Sequence, residues 1–304
     1  MSELFSHLRV SSEYSISQGL LKIDQIVDNA AKNSIPSVAL TDQSNMFGLV
    51  KFFNKCEASG IKPISGTSLK LIFDDDDNAY EVLCLAKTNQ GHKNLMKIIS
   101  KAHNNANFKI PAIKSEELVD LKNDIFVISG GKGSHIFEYL RMNNYKEAVR
   151  RIDDFRDLCG DSFALEVQRT NRLDEIEYFN HIIPISIEKG IPVIATNDVL
   201  FLNQDDYEIH ETKVCINTGK TLNDPNREKI FSDQQYLKSA DEMKELFNDF
   251  MCVVDNTNEI SKQCNVSLKT KGYFLPEYPV PKDHDFNSFL VALSNERLEV
   301  LIKD

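Results

Sequence analysis

Short runs of branched apolar residues alternate along this chain with segments whose apolar positions recur every three or four residues. The run FSHLRV is followed by Ile23, Ile26, Val27 and Ala30, and PSVALTD is followed by Leu49, Phe52, Phe53 and Cys56. The alternation continues through IKPISGTSLKLIF and YEVLCLAK, then a helix carrying Leu95, Met96, Ile98 and Ile99. Beyond it come the strand DIFVISGG, a helix around Tyr145 to Leu158, the strand SFALEVQR, a helix from about Asp174 to Lys189 and the strand IPVIATND. Repeated β/α units predict mainly parallel strands with crossover helices outside, as in a barrel or a doubly wound sheet, and a distorted α/β barrel is favoured here. The run Asp74 to Asp77 before Asn78 reads as a solvated hairpin turn, because a calcium loop needs spaced ligands and a distal Glu.

After Asp198 the pattern turns helical, and Ser239 with Glu242 in SADEMKELF predicts a capping box. Pro276, Pro279 and Pro281 mark an extended connection, so one domain over residues 1–275 and a linker with the first helix of a following region over 276–304 are expected. That helix carries Phe286, Phe289, Leu290, Leu293, Leu298 and Leu301 and reaches Asp304 without a Gly or Pro stop, which predicts a longer parent protein.

Composition narrows the function classes. No apolar run is long enough to cross a bilayer and no secretory signal opens the chain, so a cytoplasmic protein is expected. Cys56, Cys84, Cys159, Cys215, Cys252 and Cys264 show neither CxxC nor zinc-finger spacing and are expected mostly as small core residues. A net charge of −11 disfavours direct DNA binding, which rests on Lys and Arg neutralising phosphates. Neither a GxSxG elbow nor a GxxxxGK[ST] loop is present.

In parallel barrels chemistry gathers just after the strands. Those positions read His7 to Ser15, Ala39 to Gly48, Gly66 to Ser68, Ser129 to Gly131, Glu166 to Thr170 and Ala195 to Leu200. This ladder, with GIKPISG at Gly60 to Gly66, IATNDV at Ile194 to Val199 and TGKTLNDPNR at Thr218 to Arg227, resembles the PHP domains (polymerase and histidinol phosphatase) of bacterial replicative DNA polymerase III alpha subunits. The resemblance runs over about residues 3 to 275. It implies a distorted seven-stranded β/α barrel followed by the start of a polymerase palm region.

Active members of that family hold a metal cluster, and the resemblance carries its ligand positions onto this chain. The HxH pair falls on Arg9 and Ser11, the loop Asp on Gln18, the His after Thr41-Asp42 on Gln43, the Glu on Ser68, the Cys on Gly131 and DxH on Asp198 and Leu200. Asp198 alone keeps a ligand type. The resemblance therefore implies a vestigial site with no catalytic residue and no metal in this segment, and an Arg9–Asp198 ion pair is one way to fill it. His7, Asp42 and His210 are the nearby polar candidates; a structural role is expected for the histidines and a turn or helix cap for Asp42. His92, His103, His135, His181 and His284 show no spacing for a shared ion.

The function implied is that of a structural module that docks a separate proofreading exonuclease and supports the rest of the alpha chain, which would use Mg for nucleotidyl transfer and hold the DNA. An active metal-dependent phosphoesterase or 3′-5′ exonuclease is the alternative, and a free-standing protein that has borrowed the fold is a third.

Overall fold

The computed structural model describes residues 5–74, 76–105, 108–268 and 275–303. The periodic apolar positions become buried helix faces. Helix α1 (Ile23–Lys32) buries Ile23, Ile26, Val27 and Ala30, and α2 (Leu49–Ser59) buries Leu49, Phe52, Phe53 and Cys56. The two faces share one cluster with Val38 and Leu40 of β1 (Ser37–Leu40). In α3 (Asn89–Asn104) the pattern holds for Leu95, Ile98 and Ile99, whereas Met96 points to solvent.

Strand β2 (Lys62–Phe73) runs parallel to β1, and β3 (Asp76–Ala86) folds back on it antiparallel, in register from Gly66↔Leu85 onward. The expected hairpin joins them; its Asp75 lies outside the described residues. Strand β4 (Ile113–Lys114) pairs with β2 off the main path. Strand β5 (Ile125–Ile128) is antiparallel to β3, and β6 (Phe163–Gln168) and β7 (Val193–Thr196) follow in parallel. The sheet is thus a curled one of order β1-β2-β3-β5-β6-β7, mainly parallel as expected but mixed, because β3 alone runs against its neighbours. The cause is local: two strands joined by a tight turn can pair only antiparallel, and β3 then reverses relative to both neighbours.

Strands β1, β5, β6 and β7 are buried at every position, as a sheet covered by helices requires. Around them pack α4 (His135–Arg141), α5 (Tyr145–Cys159), α6 (Glu175–Lys189) and α9 (Cys252–Gln263). Helix α7 (Tyr207–Thr218) follows β7, and α8 (Ala240–Leu246) starts at the Ser239–Glu242 capping box read from the sequence. Five of the six cysteines are buried and all six are free thiols.

FSHLRV makes isolated bridges instead of a regular strand. His7 pairs with Val38 and Val10 with Val199. The Ala39 N–H donates to the His7 carbonyl at 2.8 Å and the Ser11 N–H to the Val199 carbonyl at 2.9 Å. The N-terminal segment therefore lies between β1 and the residues just after β7, and the curl gathers the loops that follow these strands.

The chain divides into the units Met1–Leu268 and Lys269–Asp304. In the second, residues 275–285 lack regular structure and α10 (Phe286–Lys303) forms where the apolar pattern predicts it. No described helix is long and apolar enough to cross a membrane.

Candidate functional site

At the gathered strand ends, Arg9 is 5% exposed and binds three carboxylates from three different elements. Its Nε donates to Asp198 Oδ1 at 2.9 Å and its Nη1 to Glu166 Oε2 at 3.1 Å, while Nη2 pairs with Glu81. Glu81 lies on β3, Glu166 on β6 and Asp198 just past β7. Burial alone would lower the guanidinium pKa, but Glu166 and Asp198 outweigh it and raise it. Burial likewise pushes Asp198 up, and Arg9 with Arg172 holds it below the usual carboxylate range.

The network extends outward. Arg172 Nη1 donates to Asp198 Oδ2 at 3.0 Å and its Nε to Glu175 Oε1 at 3.0 Å. Gln235 Nε2 donates to Asp198 Oδ2 at 2.9 Å, and Gln168 Nε2 to Glu166 Oε1 at 3.1 Å. The Thr196 hydroxyl also donates to Glu166 Oε1, and Lys70 Nζ reaches Glu81 Oε2 at 3.3 Å. Three cations, Arg9, Lys70 and Arg172, thus interleave with four carboxylates, Glu81, Glu166, Glu175 and Asp198.

A second buried centre adjoins on the N-terminal segment. Asp42 accepts from the Ser12 N–H at 2.7 Å, the Ser12 hydroxyl at 2.7 Å and the Ser15 hydroxyl at 2.6 Å. Burial raises its pKa, against the pull of the two serines. Asp42 caps the 12–15 turn and leaves the following helix uncapped, which settles the two readings its position allowed.

The positions carried by the resemblance are brought together unevenly. Arg9 and Asp198 form the ion pair foreseen for them, and Gln43 and Ser68 bridge as strand neighbours. Gly131, at φ +52°, stands against Gln168: a side chain there would be strained in this left-handed backbone and its β-carbon, within 2.9 Å of the Gln168 amide, would require that amide to shift. Ser11 and Gln18 are tied through backbone N–H groups, to Val199 and Ser15. Leu200 is buried, with its N–H on the Gln235 carbonyl. His7 donates from Nε2 to the Lys238 carbonyl at 2.7 Å, and burial lowers its pKa to about 4. His210 is buried between Phe201 and Phe231.

Sequence reasoning missed Lys70, Glu81, Arg172 and Glu175, and treated Glu166 and Gln168 only as part of a motif. The hairpin would have found two of them, since its register sets Lys70 opposite Glu81 and opposite charges pair across strands. Arg172 and Glu175 carry only an i,i+3 spacing, which surface pairs share.

The PHP domain family profile matches residues 7–170, more than half of the chain. The chain belongs to the PHP domain family. It is 38% identical over 99% of its length to the DNA polymerase III subunit alpha of Pseudomonas fluorescens, of which it covers 26%. The Vibrio cholerae protein of the same description is 38% identical over 97% of this chain and 26% of its own length. That of Escherichia coli K12 is 37% identical over 97% of this chain and 26% of its own length. This chain thus spans about a quarter of the length of the curated relatives it matches.

The metal cluster implied for active PHP domains can be tested against these residues. Such a cluster needs several converging His, carboxylate or thiolate donors. Among the described residues no group of three His, Cys, Asp or Glu could hold a metal ion. Glu81, Glu166 and Asp198 do converge, but on a guanidinium, whose fixed positive charge stands where a cation would be held. At the Cys position Gly131 supplies no donor and faces the Gln168 amide. The residues present do not fit the cluster.

Proposed function

We propose that this chain is the PHP domain at the front of a DNA polymerase III alpha subunit, non-catalytic in itself, and that the Arg9 ion network takes over the structural duty of the lost metal site. The observation that carries this reading is Arg9 held at once by Glu81, Glu166 and Asp198. A metal-activated hydroxide and a Lewis acid for the phosphoryl oxygens are what phosphoester hydrolysis on this fold would need. A guanidinium supplies neither. Polymerisation, its Mg ions and the DNA contacts belong in this reading to the remaining three quarters of the parent chain.

Elemental analysis and turnover test it. After dialysis the purified chain should hold well under one zinc, manganese or iron ion. With added manganese or zinc it should hydrolyse neither a phosphomonoester nor a DNA 3′ end above background. Two or three tightly held ions, or turnover that disappears in Asp198→Ala, would establish the active phosphoesterase or exonuclease instead.

The partner proposed for the domain is the proofreading exonuclease subunit, because a fold kept without chemistry implies a surface in use. Calorimetry with the exonuclease of the same organism measures this directly. No heat and no co-elution at concentrations of tens of micromolar would leave only the role of supporting the alpha chain.

A further inference from the structure

Helix α6 is apolar on two sides. Its inner side buries Tyr178, Ile182 and Ile185 against the sheet. Its outer side exposes Ile176 and Ile187 at helical spacing, with Leu173 just before the helix, Asn180 between them and Ile183 half-buried against the core. Leu173 and Ile176 are each 76% exposed and Ile187 is 72% exposed. Beside the stripe, between α6 and the end of α8, lies a cleft of about 660 Å³ whose lining includes Arg169, Arg172, Glu175, Ile176, Phe179 and Leu246. A contiguous apolar face with an adjoining cleft on a soluble domain marks an interaction site.

The charges around the stripe select its occupant. Arg169 is committed to Asp249 by a two-pronged pair at 2.6 and 2.9 Å and lies over the Phe179 and Phe247 rings. Lys189 is committed to Asp153 at 2.6 Å. Glu177, 59% exposed, and the exposed Glu188 rim the stripe next to Ile176 and Ile187. Acidic side chains along an exposed apolar stripe suit a cationic partner.

We infer that the outer face of α6 and its cleft form a docking groove for a basic amphipathic helix, one with aliphatic residues at i, i+3, i+4 and i+7 flanked by Lys or Arg. The groove meets the Arg9 network at Arg172 and Glu175, which are paired with each other and also line the cleft, and it does not depend on the exonuclease assignment.

The test uses the 304-residue chain and three labelled peptides of about five helical turns. One has Leu on one face and Lys flanks, one the same Leu face with Glu flanks, and one Lys flanks without the Leu face. Fluorescence anisotropy at physiological salt should show the first binding at least about tenfold more tightly than either other, and Ile176→Ser with Ile187→Ser should weaken it by about tenfold or more. Glu177→Gln with Glu188→Gln should erase the preference over the Glu-flanked peptide while circular dichroism stays unchanged. Equal binding of the three peptides, binding indifferent to both variants, or a concentration-dependent dimer through α6 would overturn the inference.

Discussion

The strand-end network and the outer face of α6 invert the usual placement of residues. Around Arg9 the protein buries charge, with Glu166 wholly inaccessible, whereas along α6 it leaves Leu173, Ile176 and Ile187 in water. The buried charges are answered inside the chain: each carboxylate oxygen of Asp198 accepts from a guanidinium, and Glu166 is held by Arg9, Gln168 and Thr196. The exposed apolar groups have no such answer within the domain. A buried polar group left unpaired is costly, so a satisfied network reports internal architecture, while an exposed stripe reports something outside it.

The largest effect that can break this comparison is expected at Arg9. Arg9→Met keeps the side-chain length but leaves Glu81, Glu166 and Asp198 without their shared cation, and removal of one partner from a buried ion cluster costs about 3–5 kcal/mol. Urea unfolding followed by circular dichroism should show that loss. Adding Glu81→Gln, Glu166→Gln and Asp198→Asn to Arg9→Met should recover a good part of it, because neutral amides need no cation. An Arg9→Met protein as stable as the parent chain would mean that the network is not what ties the N-terminal segment to β3, β6 and β7.

The next effect is a pH dependence centred on His7, the buried ring that bridges the N-terminal segment to Lys238. Its folded-state pKa, about 4, lies below its ordinary value of 6.5, so the fold favours the neutral ring. The stability this contributes is fully present above pH 6.5 and is lost as pH falls from 6.5 toward 4, by up to about 3 kcal/mol. Asp198, held below the usual carboxylate range, keeps its contribution until more acid conditions, which separates the two. His92 and His210, also lowered by burial, act in the same direction as His7, so the informative quantity is the difference between the parent chain and His7→Gln. That difference should shrink steadily from pH 6.5 to 4, and a flat difference would remove His7 from the account.

How far the sequence discloses these two regions follows from the range of the interactions. Helix faces such as Ile23, Ile26, Val27 and Ala30 are set by neighbours three and four residues away, and they appear where periodicity puts them. The antiparallel turn of β3 was written in the Asp74–Asp77 run, yet its consequence for the sheet was not drawn. The Arg9–Asp198 pair was suggested only by resemblance, since 189 residues separate the partners. Glu81 and Arg172 remained hidden because charges on a strand or before a helix usually face solvent. The exposed side of α6, with Ile176 and Ile187, was not read from the sequence, because two apolar sides on one helix cannot be ranked before the sheet shows which one it covers.

The smallest effect sharpens the comparison most. If the α6 stripe serves an external partner, its residues contribute little to the domain's own stability, in contrast to Arg9. Ile176→Ser with Ile187→Ser removes two side chains that are 76% and 72% exposed, and such surface substitutions usually stay within about 0.5 kcal/mol. Thermal unfolding of the double variant should therefore overlay that of the parent chain, and its solubility should rise as apolar surface is withdrawn from water. The same pair of substitutions placed inward, at Ile182 and Ile185, should cost several kcal/mol through cavities and buried hydroxyls. A double variant at Ile176 and Ile187 that unfolds as readily as the inward one would show that the outer stripe is part of the core, and the contrast drawn between the two regions would fail at its second half.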